Sequence, residues 1–276
     1  MRMLHYALAG LVLHAAPLCA QKPSADEAGA LIEKAQHNVL AYTHALPDFV
    51  CTEVIARYKM GSQSLSNGSA AGGKVFMGQS DWQVVDKLTV KLSYFRQQEQ
   101  HQLLLVNGEP TRLQYDSLDV GATGTGEFAG MLQVIFSPAS QTTFRWGKWK
   151  KQESRTLAVF TYKVPVAHSQ YELTHGPHGN AKHAIVGFQG VVEIDRETGD
   201  IVHFENVANQ IPKELNLEEA STSVDYALTE VAGRQYLLPS AAETRMRSAG
   251  EFVKNSVAFR DYNKFDASSV IKYDGK

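Results

Sequence analysis

The sequence predicts a mainly β fold: a curved antiparallel sheet of about ten strands, an unclosed half-barrel, with an N-terminal helix and a short mid-chain helix. Three observations lead there. Residues 187–205 form two β-rich arms around a turn at 195–200, where Gly199 supplies a positive φ and Asp195 bonds its own turn backbone. Residues 82–95 alternate with a period of two: Trp82, Val84, Leu88, Val90, Leu92 and Tyr94 on one face, Gln83, Lys87, Thr89, Lys91 and Ser93 on the other. Near the C-terminus, strand-like runs at 222–231, 235–245 and 252–265 are punctuated by Gly233 and Gly250, the pattern of an antiparallel meander.

The remaining elements follow in order. Residues 24–45 read as a helix, with Ser24 as N-cap, Glu27 completing a capping box, and Ala28, Leu31, Ile32, Ala35, Val39 and Tyr42 at helical spacing. Leu46-Pro47 ends it, and residues 48–59 read as a strand. Residues 61–73 are a Gly/Ser/Ala loop holding the formal sequon Asn67-Gly68-Ser69. Asn107-Gly108 is a strong two-residue hairpin signal within 100–115. In residues 127–136, Phe128, Met131, Leu132, Ile135 and Phe136 fall at i, i+3, i+4, i+7 and i+8, a short amphipathic helix stopped by Ser137-Pro138. Residues 141–164 give two strands with Lys148, Lys150 and Lys151 expected at a solvated tip. Residues 206–219 read as irregular, and 269–273 as a β-like tail.

Residues 1–20 read as a secretory signal: Arg2, an apolar stretch at 4–13, and small residues near Ala20, with cleavage expected close to Gln21. That leaves 21–276 as a single β domain in a periplasmic or secreted protein. Acylation at Cys19 is disfavoured by Leu18 before it, where a lipobox needs a small residue. The mature chain then keeps only Cys51, expected as a small buried hydrophobe on a strand. Loss of Arg2 with the signal moves the net charge from −2 to −3, which argues against nucleic acid as a partner despite Trp146 and Trp149 among the lysines.

Chemistry-bearing motifs are absent from the sequence: no nucleophile elbow, P-loop, dinucleotide fingerprint, His-Glu-x-x-His or paired Cys-x-x-Cys. His168, His175, His178 and His183 match no zinc spacing and sit with Gly176, Pro177, Gly179 and Asn180 in a turn. No metal, cofactor or catalytic residue is therefore expected.

The order of elements resembles the LolA/LppX-like periplasmic lipoprotein carriers and their relatives, including the N-terminal domain of the RseB/MucB sensors. The hairpin Gly190-Val191-Val192-Glu193-Ile194-Asp195…Thr198-Gly199-Asp200-Ile201 is similar to the Asp…Thr-Gly hairpin of that group. Residues 46–51 and 261–265 are similar to stretches in secreted proteins of acidobacteria. The resemblance spans residues 24–273 and implies an open barrel that holds acyl chains beneath helical lids. A binding or carrier module for a lipid or lipoprotein acyl chain is thus expected. The alternatives are an envelope sensor or scaffold domain that binds another protein, and a secreted hydrolase.

The candidate site follows from supply. Several strands each offer an apolar face, and only two helices are present to cover them. Phe128, Met131, Ile135 and Phe136 are expected on the helix side of an apolar cavity, with Leu88, Val90 and Leu92 on the sheet side. Asp86, on the same strand face, is expected at a wet rim or against a polar head. A plainly packed core is the alternative.

Overall fold

The computed structural model describes residues 22–60, 82–96, 98–115, 118, 130–176 and 180–265, with the backbone alone at 43–45. The signal segment, the Gly/Ser loop with its sequon, Phe128 and the 269–273 tail lie outside the described residues.

Helix α1 (Ala25–Ala45) starts where the capping signal places it, with the Ser24 Oγ accepting from the Glu27 N–H at 3.1 Å and Asp26 and Glu27 in the electropositive first turn. Its apolar stripe, Leu31, Ala35 and Val39, is buried against the sheet. Thirteen strands follow: β1 (Phe49–Met60), β2 (Gln83–Phe95), β3 (Gln98–Val106), β4 (Glu109–Pro110), β5 (Thr143–Gln152), β6 (Arg155–Val164), β7 (Glu172–His175), β8 (Lys182–Ile185), β9 (Gly187–Asp195), β10 (Ile201–Asn209), β11 (Glu219–Val231), β12 (Arg234–Ser248) and β13 (Glu251–Lys264). Helix α2 (Gly130–Phe136) stands between β4 and β5.

Eleven strands make one curved antiparallel sheet, not closed into a barrel, in the order β4-β3-β2-β1-β13-β12-β11-β10-β9-β6-β5. Almost every neighbour is also a neighbour in sequence. The exceptions are β1 on β13, which joins the two ends of the chain, and β6 on β9, which leaves β7 and β8 as a separate hairpin. The main core lies on the inner face under α1 and α2.

The 195–200 turn positions α1. Asn38 Nδ2 donates to the Thr198 carbonyl at 2.9 Å and to Asp200 Oδ1 at 3.0 Å, Lys34 donates to the Glu197 carbonyl, and Arg196 pairs with Glu27 at 2.8 Å. Gly199 has φ +79°, and a Cβ there would press on the Lys34 stem at 2.6 Å. The best hairpin in the sequence is therefore also the clamp that seats the helix.

Three expectations change in detail. The lysine cluster lies on β5 itself, because the turn is at Glu153 and Ser154. A register shift at Gly147 lets both Trp146 and Trp149 stay among the core aromatics, with Trp146 5.3 Å from Phe160. Residues 206–209 continue β10 rather than starting an irregular stretch; Val207 is exposed while Asn206 and Ala208 are buried, which inverts the expected polarity of an alternating strand. Val84 is 67% exposed, since the register shift at Arg57/Tyr58 turns it off the buried face that Leu88, Val90, Leu92 and Tyr94 share.

Candidate site on the inner face of the sheet

Strand register builds the inner face in rows. One row is apolar across nine strands: Leu88, Ile55, Val257, Ala242, Val224, Phe204, Val192, Phe160 and Trp146 stand opposite one another in turn. Two residues along eight of these strands comes a row of different chemistry, Asp86, Arg57, Asn255, Thr244, Thr222, Asn206, Gly190 and Tyr162, which ends on Phe144 of β5. Side chains two apart on a strand share a face, so this polar row lies beside the apolar core, not on the outer surface. Beyond it sits a smaller buried cluster of Leu173, Val186, Ala208, Leu215, Leu217 and Ala220.

Most polar groups on this face are satisfied. Arg57 Nε and Nη2 reach Asp86 Oδ1 and Oδ2 at 2.6 and 2.5 Å, a two-pronged pair with side chains only 6% and 13% exposed. Asp86 is therefore held by Arg57, a partner the sequence did not announce. Glu53 is buried with His101 Nε2 at 3.5 Å, and the His101 ring stacks on Tyr115 at 5.1 Å. Tyr162 donates to the Glu205 carbonyl at 2.9 Å. Burial pushes the Cys51 thiol far above its ordinary range, with Glu53 adding to the effect, so it is a buried hydrophobe as expected and not a thiolate nucleophile.

Asn206 is different. It is 0% exposed, its Nδ2 meets only the Met131 sulfur of α2 at 3.7 Å, and its Oδ1 has no partner among the described residues. Exchanging the two ends of the amide would place an oxygen against sulfur, which is no better. Two further buried polar atoms, Tyr42 OH on α1 and Ser140 Oγ just after α2, also have no partner among the described residues. A buried unsatisfied amide end costs about 1–3 kcal/mol.

The residues expected at the site fall into two neighbouring groups. Leu92, Ile135 and Phe136 belong to the main core, with Met131 packed against it. Leu88 and Val90 join Ile55 and Leu103 in a second cluster, against which Tyr115 and Leu118 pack; Val257 touches both clusters. Phe128 lies outside the described residues. Helix α2 is held from both sides: Gln36 Nε2 donates to the Phe136 carbonyl at 2.6 Å, and Thr142 Oγ1 to the Ile135 carbonyl at 2.5 Å. Asn206 was missed because residues 206–209 read as irregular rather than as a continuation of β10. The available signal was its spacing of two from Phe204.

On the outer face, His203 Nδ1 meets Asp225 Oδ1 at 2.7 Å and its Nε2 lies 3.5 Å from Glu205. Burial opposes the charged imidazole, but the hydrogen bond and charge of Asp225, with Glu193 and Glu205, outweigh it and raise the His203 pKa above 6.5. The bond to His203 lowers the Asp225 pKa below 3.8 against the opposing effect of burial. Stability from the histidine is full below its unfolded value and lost as pH rises through the raised folded one. Stability from the aspartate is full above its unfolded value and lost as pH falls through the lowered one. The urea midpoint is thus expected to be higher at about pH 5.5 than at about pH 8, and His203→Gln should flatten that difference. An unchanged slope in the variant would remove His203 as its source.

No protein-family model matches the chain, and no curated protein matches it. Among solved structures, a DUF1329 family protein from Desulfovibrio piger is similar over 87% of this chain and 94% of its own, at 9% identity and a TM-score of 0.36. An outer membrane lipoprotein-sorting protein domain from Vibrio parahaemolyticus is similar over 87% of this chain and 93% of its own, at 10% identity and a TM-score of 0.36. Likeness at that level carries no weight for function.

Proposed function

We propose that the chain is an exported, non-enzymatic binding or carrier module for a hydrophobic ligand such as a lipid or lipoprotein acyl chain, held between the sheet and α2. The observation that carries this reading is Asn206: a wholly buried amide whose Oδ1 is left unsatisfied beneath Met131, in a row whose charged pair, Arg57 and Asp86, is satisfied. A packed core gains nothing from such a group, whereas an acyl amide brings an N–H that can donate to the Asn206 Oδ1. The short α2 covers it with a flexible thioether, a side chain that repacks around varied shapes. Ile135 and Phe136 of α2 would line the space on the helix side, with Leu88, Val90 and Leu92 of β2 on the sheet side; Phe128, expected beside them, lies outside the described residues. The resemblance to periplasmic lipoprotein carriers agrees with this reading and with a place in the periplasm or outside the cell.

Asn206→Leu separates the proposal from a plain core. The apolar replacement should leave the ligand-free protein as stable as wild type or more so, by about 1 kcal/mol. It should also weaken binding of a neutral fluorescent N-acyl amide, whose N–H would donate to Asn206 Oδ1, about tenfold. No binding of that probe by wild-type protein, or equal binding by the variant, would overturn the assignment.

A further inference from the structure

An open cleft of about 1000 Å³ lies between the β7–β8 hairpin, the 210–218 loop and the β12–β13 turn. Its apolar floor includes Ala208, Leu215 and Leu217, members of the smaller buried cluster. Lys182 and Lys213 both line it, and neither has an acidic partner among the described residues. Glu218 lines it too, but that carboxylate is taken up by Arg247 at 2.9 Å and by the Gly250 N–H at 3.3 Å. Arg247 also binds Glu219 at 2.6 Å, so both carboxylates are engaged away from the two lysines.

One further donor would face an anion in the cleft, and one bond sets its shape. Asn209 lines it and has a buried Nδ2 with no partner among the described residues. His175 Nδ1 lies 2.8 Å from the Leu215 carbonyl, which makes Nδ1 the proton-bearing nitrogen. That bond also ties the hairpin to the loop and fixes the cleft's width.

We propose that this cleft binds an anionic amphiphile: a phosphate or carboxylate head between Lys182 and Lys213, and an apolar chain on Ala208, Leu215 and Leu217. Two ammonium groups with no acidic partner among the described residues favour the head, and the apolar floor beside them favours an amphiphile over a bare inorganic ion. The site adjoins Asn206, two residues along β10 from Ala208, but does not rest on the acyl reading above.

Dodecyl phosphate and dodecanol, titrated by calorimetry into the full exported chain, test it. The phosphate should bind and the alcohol should not compete with it. Lys182→Gln combined with Lys213→Gln should weaken the phosphate about tenfold or more, and salt should weaken wild-type binding in the same direction. Both lysines are exposed, so the variant should keep the wild-type melting temperature. Asn206→Leu should leave dodecyl phosphate binding unchanged, which separates this site from the one beneath α2. Phosphatidylglycerol vesicles against phosphatidylcholine vesicles then distinguish a membrane headgroup from a free amphiphile: recruitment to the former assigns a membrane source, and binding of dodecyl phosphate alone assigns a soluble one. Equal binding by the double lysine variant, or no binding by wild type, would overturn the proposal.

Discussion

Gly190→Ala is expected to remove about 3 kcal/mol or more of folding stability. Gly190 stands on β9 opposite Asn206 and Tyr162. A Cβ there would collide with the Glu205 carbonyl oxygen, lie 2.7 Å from its carbonyl carbon, and lie 3.0 Å from the Tyr162 hydroxyl. The limit is space, since the obstructing atoms are backbone in the adjacent strand and cannot turn aside as a flexible side chain would. Tyr162 already occupies what room remains by donating to that same carbonyl at 2.9 Å. Urea unfolding should show the loss, and adding Tyr162→Phe should not restore it. A variant within about 0.5 kcal/mol of wild type would mean that β9 and β10 separate easily at this point.

The second large effect is expected from Arg57→Ala. Removing one member of a buried ion pair leaves the other charge without compensation, at about 3–5 kcal/mol. Asp86 would be that charge, on a face where its neighbours along β2 are Leu88, Val90 and Leu92. Replacing both partners, Arg57→Met with Asp86→Leu, should recover most of the stability, because no unpaired charge remains. If the single variant were no less stable than the double one, the pair would be a surface bridge in effect and the polar row would not be part of the interior.

The elements themselves were legible because their signals are local. Ser24 and Glu27 mark the start of α1, Asn107-Gly108 marks a hairpin, and the turn at 195–200 announces β9 and β10. Positive φ at Asn107 (53°) and Gly108 (85°) is what that dipeptide allows. The curved, unclosed sheet also followed, from many strands and few helices. What the sequence left hidden depends on register. The pairing of β1 with β13 joins residues separated by most of the chain, and only that pairing sets Arg57 beside Asn255. Asp86 was visible as a break in an apolar face, but its partner lay on the neighbouring strand, directly opposite in a register fixed by the whole β1–β2 pairing. The inward turn of Asn206 was masked by exposed Val207 next to it, since alternation points the wrong residue to solvent. The lysines of β5 were misplaced to a turn because the bulge at Gly147 breaks the period that would have kept them on a strand.

The central claim is that the space between the sheet and α2 holds an acyl ligand through Asn206. Native mass spectrometry of the exported protein, delipidated and then incubated with an envelope lipid extract, tests it most directly. The account predicts a mature chain starting near Gln21 that carries a lipid adduct, and an Asn206→Leu variant whose adduct is strongly reduced. A wild-type chain of unmodified mass after that incubation, or an adduct that the variant keeps in full, would contradict it.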